Sequence, residues 1–394
     1  MSKFYQKENT GFCPPDPHSD AFTYMLSSDM HHNLALIGSV PHNGIKQIRI
    51  HYLLKLIQVD VFNGQFEYNF TYLDQLITLL RNYNLKPGFE LMGNPSNIYN
   101  DFENKTQIIQ WKEMVQQMIR RYIKKFGLNY IKQWNFESWN EPSIEFKHYF
   151  SDNIKVTPKG FLNYYDSCSL AIKEIDNNLV FGGPGDHWPK DIKNGSFVID
   201  LINHFINGSN FLSGKKSDIK LDYLSLHEKG SKGQSSYTDY LEDKALNDIS
   251  YYFNTLKNIP FVNNEGDPEV GWNRNRTWRA DNRYAATIVQ SVARHIYGYN
   301  YTNKLSQFAF DNAFLSYYPY QFTQRTLLAR FQINNTKPHF TQFIKKPALS
   351  VMGLLSKLGD HLLHFKSNVK SNSTFNIISS AYFGTKNVSL LEFG

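Results

Sequence analysis

Cysteine is nearly absent from this chain of 394 residues: Cys13 and Cys168 stand far apart, outside any CxxC or Cys/His cluster. That excludes a disulfide framework and a zinc site of ordinary ligand spacing. His31 and His32 are adjacent and badly placed to share a metal, so no metal is expected. Apolar runs are short too. None reaches the roughly 18 residues that a membrane-spanning helix needs, and the start "MSKFYQKENT" carries no apolar signal core. Long basic tracts are also missing. The net charge of +7 is spread along the chain without aromatic interleaving, a pattern that argues against nucleic acid and implies at most mild attraction to polyanions.

What is present suits a protein with a sizeable core, since 41% of residues are hydrophobic and 20% charged. Aromatic residues make up 15%. Most of them are expected in the core, and a cleft lined with them would suit sugar rings. Asn-x-Ser/Thr sequons at Asn69, Asn104, Asn194, Asn207, Asn275, Asn300, Asn334, Asn372 and Asn387 point to a secretory route.

Eight short apolar runs read as strands: residues 34–40, 46–53, 87–92, 131–138, 179–183, 221–227, 259–265 and 306–311. Helical patterns lie between them, among them "TYLDQLITLLRNYN" and "IIQWKEMVQQMIRRYIKKFG", the latter closing on Gly127 after a basic last turn. No early strand opens on a GxGxxG loop. The alternation therefore predicts an α/β fold of the (β/α)8 TIM barrel type rather than an open doubly wound sheet. After a helix near "KKPALSVMGLLSKLG", two more runs, "FNIISSAYF" and "VSLLEFG", read as strands. The expected organisation is a catalytic barrel over residues 1–360 and the start of a truncated C-terminal β-sandwich over 361–394.

In such a barrel the chemistry sits at the C-terminal ends of the strands. The stretch "NFESWNEP" places Glu141 just past the fourth strand, before Pro142. Glu137 lies four residues earlier, about 13 Å away along an extended strand, too far to share a glycoside cleavage that needs carboxyls about 5–5.5 Å or 6.5–9.5 Å apart. Glu137 is therefore expected to be structural, paired with a basic or polar group on a neighbouring strand. A partner for Glu141 must come from another strand end, and "FVNNEGDPEVGW" after the seventh strand offers Glu265, with Asp267 as its rival.

Taken in order, "TGFCPPDPHS", "KQIRIHYLL", "KPGFELMG", "WNFESWNEP", "FGGPGD", "LDYLSLHEKG", "NNEGDPEVGW", "WRADNRYAA", "DNAFLSYYP" and "QRTLLARFQINNT" resemble glycoside hydrolase family 39 from about residue 10 to 355. The resemblance is to the members that cleave terminal non-reducing α-L-iduronic acid from glycosaminoglycans with retention and without metal or organic cofactor. It implies that Glu141 is the acid/base and Glu265 the nucleophile, whose negative charge would raise the pKa of the acid. It further implies that Asn140, His51 and Asp311 hold sugar hydroxyls, and that Arg325, Lys229 and the backbone N–H of Gly271 hold the uronic carboxylate. On their residue types alone, those two cations would be ordinary surface charges. A glycan on Asn334 is implied near a loop of Pro14, His18 and Trp272, and so is an acidic, lysosome-like compartment. Alternatives are a neutral-sugar hydrolase of the β-xylosidase type, and an inactive barrel that binds acidic glycans.

Overall fold

In the computed structural model of the chain, the residues described are 8–15, 20–145, 153–230, 244–245, 247–256, 258–271, 274–298, 305–317, 324–359, 361–363, 376–381 and 388–393. Eight parallel strands close into a barrel: β1 (Glu8–Phe12), β2 (Gln47–Ile50), β3 (Lys86–Glu90), β4 (Asn135–Glu137), β5 (Val180–Asp186), β6 (Tyr223–Leu226), β7 (Phe261–Asn263) and β8 (Leu305–Ala309). Each pairs with the next, and β8 pairs back with β1.

Seven of the eight expected strands coincide with these. The first does not: residues 34–40 end a helix, α1 (Ser28–Gly38), and the true first strand is "ENTGF". Ser27 caps α1, its hydroxyl accepting the Met30 N–H at 3.1 Å, and Met30, Leu34 and Ile37 recur at helical spacing on its buried face. A short apolar run cannot be told from a buried helix segment by periodicity alone. β1 has only Phe12 as a core apolar residue, and its other buried side chains, Asn9 and Thr10, are polar. Its Thr10 hydroxyl donates to Asn312 Oδ1 at 2.7 Å, and both side chains are buried. One strand replaces another, so Glu141 still follows the fourth and Glu265 the seventh.

The connecting helices include α2 (Thr71–Asn82), α3 (Lys105–Phe126), α4 (Pro158–Ile175), α5 (Phe197–Asn207) and α6 (Asn282–Gly298). Asn104 caps α3 by accepting the N–H of Thr106 at 2.9 Å, and the helix ends at Gly127 with φ +86°. Much of the aromatic content lies here. Trp111 of α3 packs against Tyr99, Phe102 and Tyr164 with ring centroids 4.9–5.4 Å apart.

Between β2 and α2 an antiparallel hairpin, Gln58–Phe62 with Gln65–Asn69, turns on Asn63 and Gly64 at φ 51° and 75°. Its Asn-Gly pair between alternating residues is the sequence signal for such a turn. After β8 come a second hairpin (Leu328–Ile333 with Phe340–Lys345), helix α7 (Pro347–Leu355), and a three-stranded antiparallel sheet of His361–Leu362, Asn376–Ala381 and Val388–Phe393. Among the described residues no helix is long and apolar enough to cross a membrane.

Candidate active site

The barrel interior at the C-terminal ends of the strands is ionic. Arg49 on β2, buried, lies at its centre. Its Nε donates to Glu137 Oε2 at 2.7 Å, Nη1 to Glu265 Oε1 at 2.8 Å and Nη2 to Asn140 Oδ1 at 2.9 Å, and it forms an ion pair with Glu90 of β3. Glu137 also accepts from Ser225 Oγ of β6 and from Asn264 Nδ2, the latter at 2.8 Å. Its structural role thus has named partners, but not on a neighbouring strand. Arg49 and Ser225 reach it from β2 and β6, two strands to either side, because alternate strands of such a barrel contribute to one interior layer, and Asn264 reaches it from the end of β7.

Glu141 leaves β4 through a left-handed residue of its own, φ +39°, with its N–H donating to Gly185 O at 2.7 Å. The short helix that follows is held by the Ser143 N–H on Asp186 Oδ2 at 2.8 Å. Strain of this kind persists only where surrounding structure over-determines it, and it clusters at functional sites. Glu265 follows β7 and faces Glu141 across the mouth.

Lys229, after β6, bridges the two. Its Nζ lies 2.7 Å from Glu141 Oε1 and 2.6 Å from Glu265 Oε2. His227 Nδ1 is 2.9 Å from Glu141 Oε1 and 3.6 Å from Glu265 Oε1, and the three side chains bring one ligating atom each within 4.8 Å of one another. His51 lies 3.1 Å from Glu90, 3.5 Å from Glu265 and 3.9 Å from Asp311.

These contacts set the protonation of the site. Burial alone would lower the pKa of His51, but the charge of Glu90 together with hydrogen bonds that the ring donates to Asp311 and Glu90 holds it up at about 10. Glu265 is pushed up by burial but held well below the carboxylate range by His227, Lys229, Arg49 and His51. Glu141 differs from expectation. Burial and the charge of Glu265 raise its pKa, yet Lys229 and His227 prevail and hold it at about 2. The repelling carboxylate is visible in the sequence, but the ammonium between the pair is brought there only by the fold.

Asp267, the rival on the β7 loop, is fully buried, 2.9 Å from Arg279 Nη2 and bonded by the Tyr284 hydroxyl at 3.1 Å. It braces that loop. Arg325 is no surface cation: it is 1% exposed, 3.1 Å from Asp311 Oδ2 and 3.6 Å from Asp267 Oδ2, with its guanidinium over the Phe314 ring. Gly271 adopts φ +88°, and its carbonyl accepts from Arg279 Nη1 at 3.0 Å. Pro14 is buried, and its carbonyl accepts from the Cys13 thiol at 3.2 Å. Asn334 sits exposed at the tip of the second hairpin, and His18 and Trp272 lie outside the described residues.

Arg49, Glu90, His227 and Asn264 were not picked out from sequence. A signal existed for two of them: Arg49 stands two residues before His51 and His227 two before Lys229, so each shares a face with a residue that was chosen. Asp311 also depends on β1. A Cβ added at Gly11 would lie 2.5 Å from Asp311 Oδ1 and 2.9 Å from Arg49 O. Gly11→Ala is therefore expected to displace Asp311, lowering kcat/KM and costing about 1–3 kcal/mol of stability as overpacking. Urea unfolding beside steady-state kinetics checks this, and an unchanged midpoint would mean that the strand shifts freely.

Comparison with known proteins places this geometry. The sequence profile of Glycosyl hydrolases family 39 matches residues 1–389. The chain is 44% identical over 385 residues to mouse (Mus musculus) alpha-L-iduronidase, covering 95% of this chain and 60% of the relative. It is 43% identical to the human (Homo sapiens) enzyme of that name, covering 95% and 58%. A solved structure described as the bacterial orthologue of human α-L-iduronidase superposes with a TM-score of 0.83 at 27% identity, over 97% of this chain and 61% of that one. The chain thus spans about three-fifths of the length of these relatives.

Proposed function

This chain belongs to Glycosyl hydrolases family 39, and from that premise we propose that it is a retaining exo-glycosidase removing terminal non-reducing α-L-iduronic acid from glycosaminoglycan chains. The observation that carries the reading is the facing pair Glu141 and Glu265 at the ends of β4 and β7, bridged by one ammonium. Their oxygens, within 4.8 Å of each other, suit the short separation of about 5–5.5 Å used for retention rather than the wider spacing that admits a water between them.

In this reading Glu265, kept ionised by Arg49 and His51, attacks the anomeric carbon while protonated Glu141 donates to the leaving oxygen. A covalent glycosyl-enzyme results. Glu141 then takes a proton from the water that attacks the anomeric carbon, and Glu265 is released. Asn140, already fixed by Arg49, is read as holding the hydroxyl beside the anomeric carbon, with His51 and Asp311 on ring hydroxyls. Lys229, Arg325 and the Gly271 N–H are read as receiving the uronic carboxylate. Residues 1–360 are read as the catalytic barrel and 361–394 as the first strands of a β-sandwich. A lysosomal or secretory location and a glycan on Asn334 belong to the same proposal.

The test is a matched pair of fluorogenic glycosides. An α-L-iduronide should be turned over on the order of 10²- to 10⁴-fold more efficiently than the analogue with hydroxymethyl in place of carboxylate, because buried cations would be left unpaired. Preference for a neutral xyloside would favour the alternative, and binding of acidic glycan without turnover would overturn the enzyme reading.

A further inference from the structure

Lys229 has three N–H donors, and two are engaged by the very carboxylates that the reaction needs in opposite protonation states. An acid clamped by an ammonium cannot easily hold a proton. Resting on the function proposed above, we infer that Lys229 is a gate: it keeps Glu141 ionised in the empty site and releases it for protonation when a substrate carboxylate draws the ammonium away. Recognition of the uronide is thereby exercised on the chemical step as well as on binding.

The asymmetry of the remaining contacts decides which glutamate responds. When Lys229 turns to the substrate, Glu265 keeps Arg49 Nη1 at 2.8 Å and His51 Nε2 at 3.5 Å. Among the described residues, Glu141 keeps the ion contact with His227 at 2.9 Å alone. The other charged groups facing it among the described residues are Glu265 itself, which repels its charge, and His187 and Asp186 at the end of β5, which pair with each other at 3.0 Å. With a third anion added beside the pair, the least costly adjustment is for Glu141 to take one proton from solvent. That proton goes to the glycosidic oxygen as the bond to the anomeric carbon breaks. In the second step the attacking water returns a proton to Glu141, so the cycle balances. Side-chain exposure agrees with the direction of uptake, since Glu141 is 18% exposed and Glu265 7%.

A neutral glycoside of the same sugar leaves the gate shut. The experiment compares the wild-type chain and Lys229→Met on the iduronide and on its hydroxymethyl analogue, with kcat and KM read separately across pH. In the wild type, the basic limb of kcat should lie about one unit or more higher on the iduronide than on the neutral analogue. In Lys229→Met, iduronide turnover should fall while kcat on the neutral analogue rises about tenfold, the gain of one unit in acid protonation. A lysine that only binds substrate would leave the neutral rate unchanged. Coincident basic limbs in the wild type, or a neutral rate no higher in a Lys229→Met protein that melts as the wild type does, overturns the gate. Should that variant not fold, the wild-type limbs decide alone. Absence of iduronide turnover in the wild type would instead remove the premise, and the gate with it.

Discussion

Replacing Glu265 by alanine is expected to reduce turnover of an α-L-iduronide by about 10⁴-fold or more, the scale of losing a covalent nucleophile. The expectation follows from position and charge together. Glu265 is 2.8 Å from Arg49, 2.6 Å from Lys229 and 3.5 Å from His51, whereas Glu269 on the same loop is tied to Arg276 at 2.8 Å. Asp267 is committed to Arg279 and Tyr284 at 2.9 and 3.1 Å. A 2-fluoro iduronosyl inactivator, which slows release of the glycosyl-enzyme, should therefore add its mass to Glu265 in the peptide "NNEGDPEVGW". Label on Asp267 would reverse the assignment and leave Glu265 as a charged wall of the site. Glu265→Gln, which keeps the shape, separates loss of the nucleophile from collapse of the cation cluster: it should melt near the wild type and remain inactive.

Arg49→Met is expected to be the most damaging single change to stability, at about 3–5 kcal/mol, the usual cost of leaving buried charges without their partner. Here three carboxylates depend on one guanidinium: Glu90, Glu137 at 2.7 Å and Glu265 at 2.8 Å. All three are buried. Removing Arg49 leaves them to repel one another in the barrel interior and frees Asn140 Oδ1, so activity should vanish even in protein that folds. Urea unfolding followed by far-ultraviolet circular dichroism gives the stability loss. A shift below about 1 kcal/mol, the range of an exposed ion pair, would show that water reaches this layer and that the arginine is not its keystone. Glu137→Gln removes one charge of the same set and should cost less, since its amide still accepts from Arg49.

How far these assignments were legible in the sequence differs from residue to residue. Glu141 and Glu265 were legible because a strand end followed by Pro142 or Gly266 marks the barrel mouth, and counting strands places the fourth and seventh opposite each other. The order of those two strands does not depend on which segment is the first. The apolar run at 34–40 closes a helix, and the polar "ENTGF" is a barrel strand because Thr10 finds Asn312 and Gly11 makes room for Asp311. Hydropathy alone does not reveal a strand whose inward face is hydrogen-bonded.

By itself the sequence determined the alternation of strand and helix, the barrel it builds and the positions of two glutamates at its mouth. These follow from local periodicity and from spacing along the chain, which neighbours in sequence are enough to express. The tertiary structure alone decided which charges meet. Arg49 and Glu265 are 216 residues apart, and Lys229 reaches Glu141 across 88. Only closure of the sheet puts alternate strands into one interior layer. There, short distances and poor solvation let Lys229 and His227 together overrule both burial and a neighbouring carboxylate in setting the charge of Glu141.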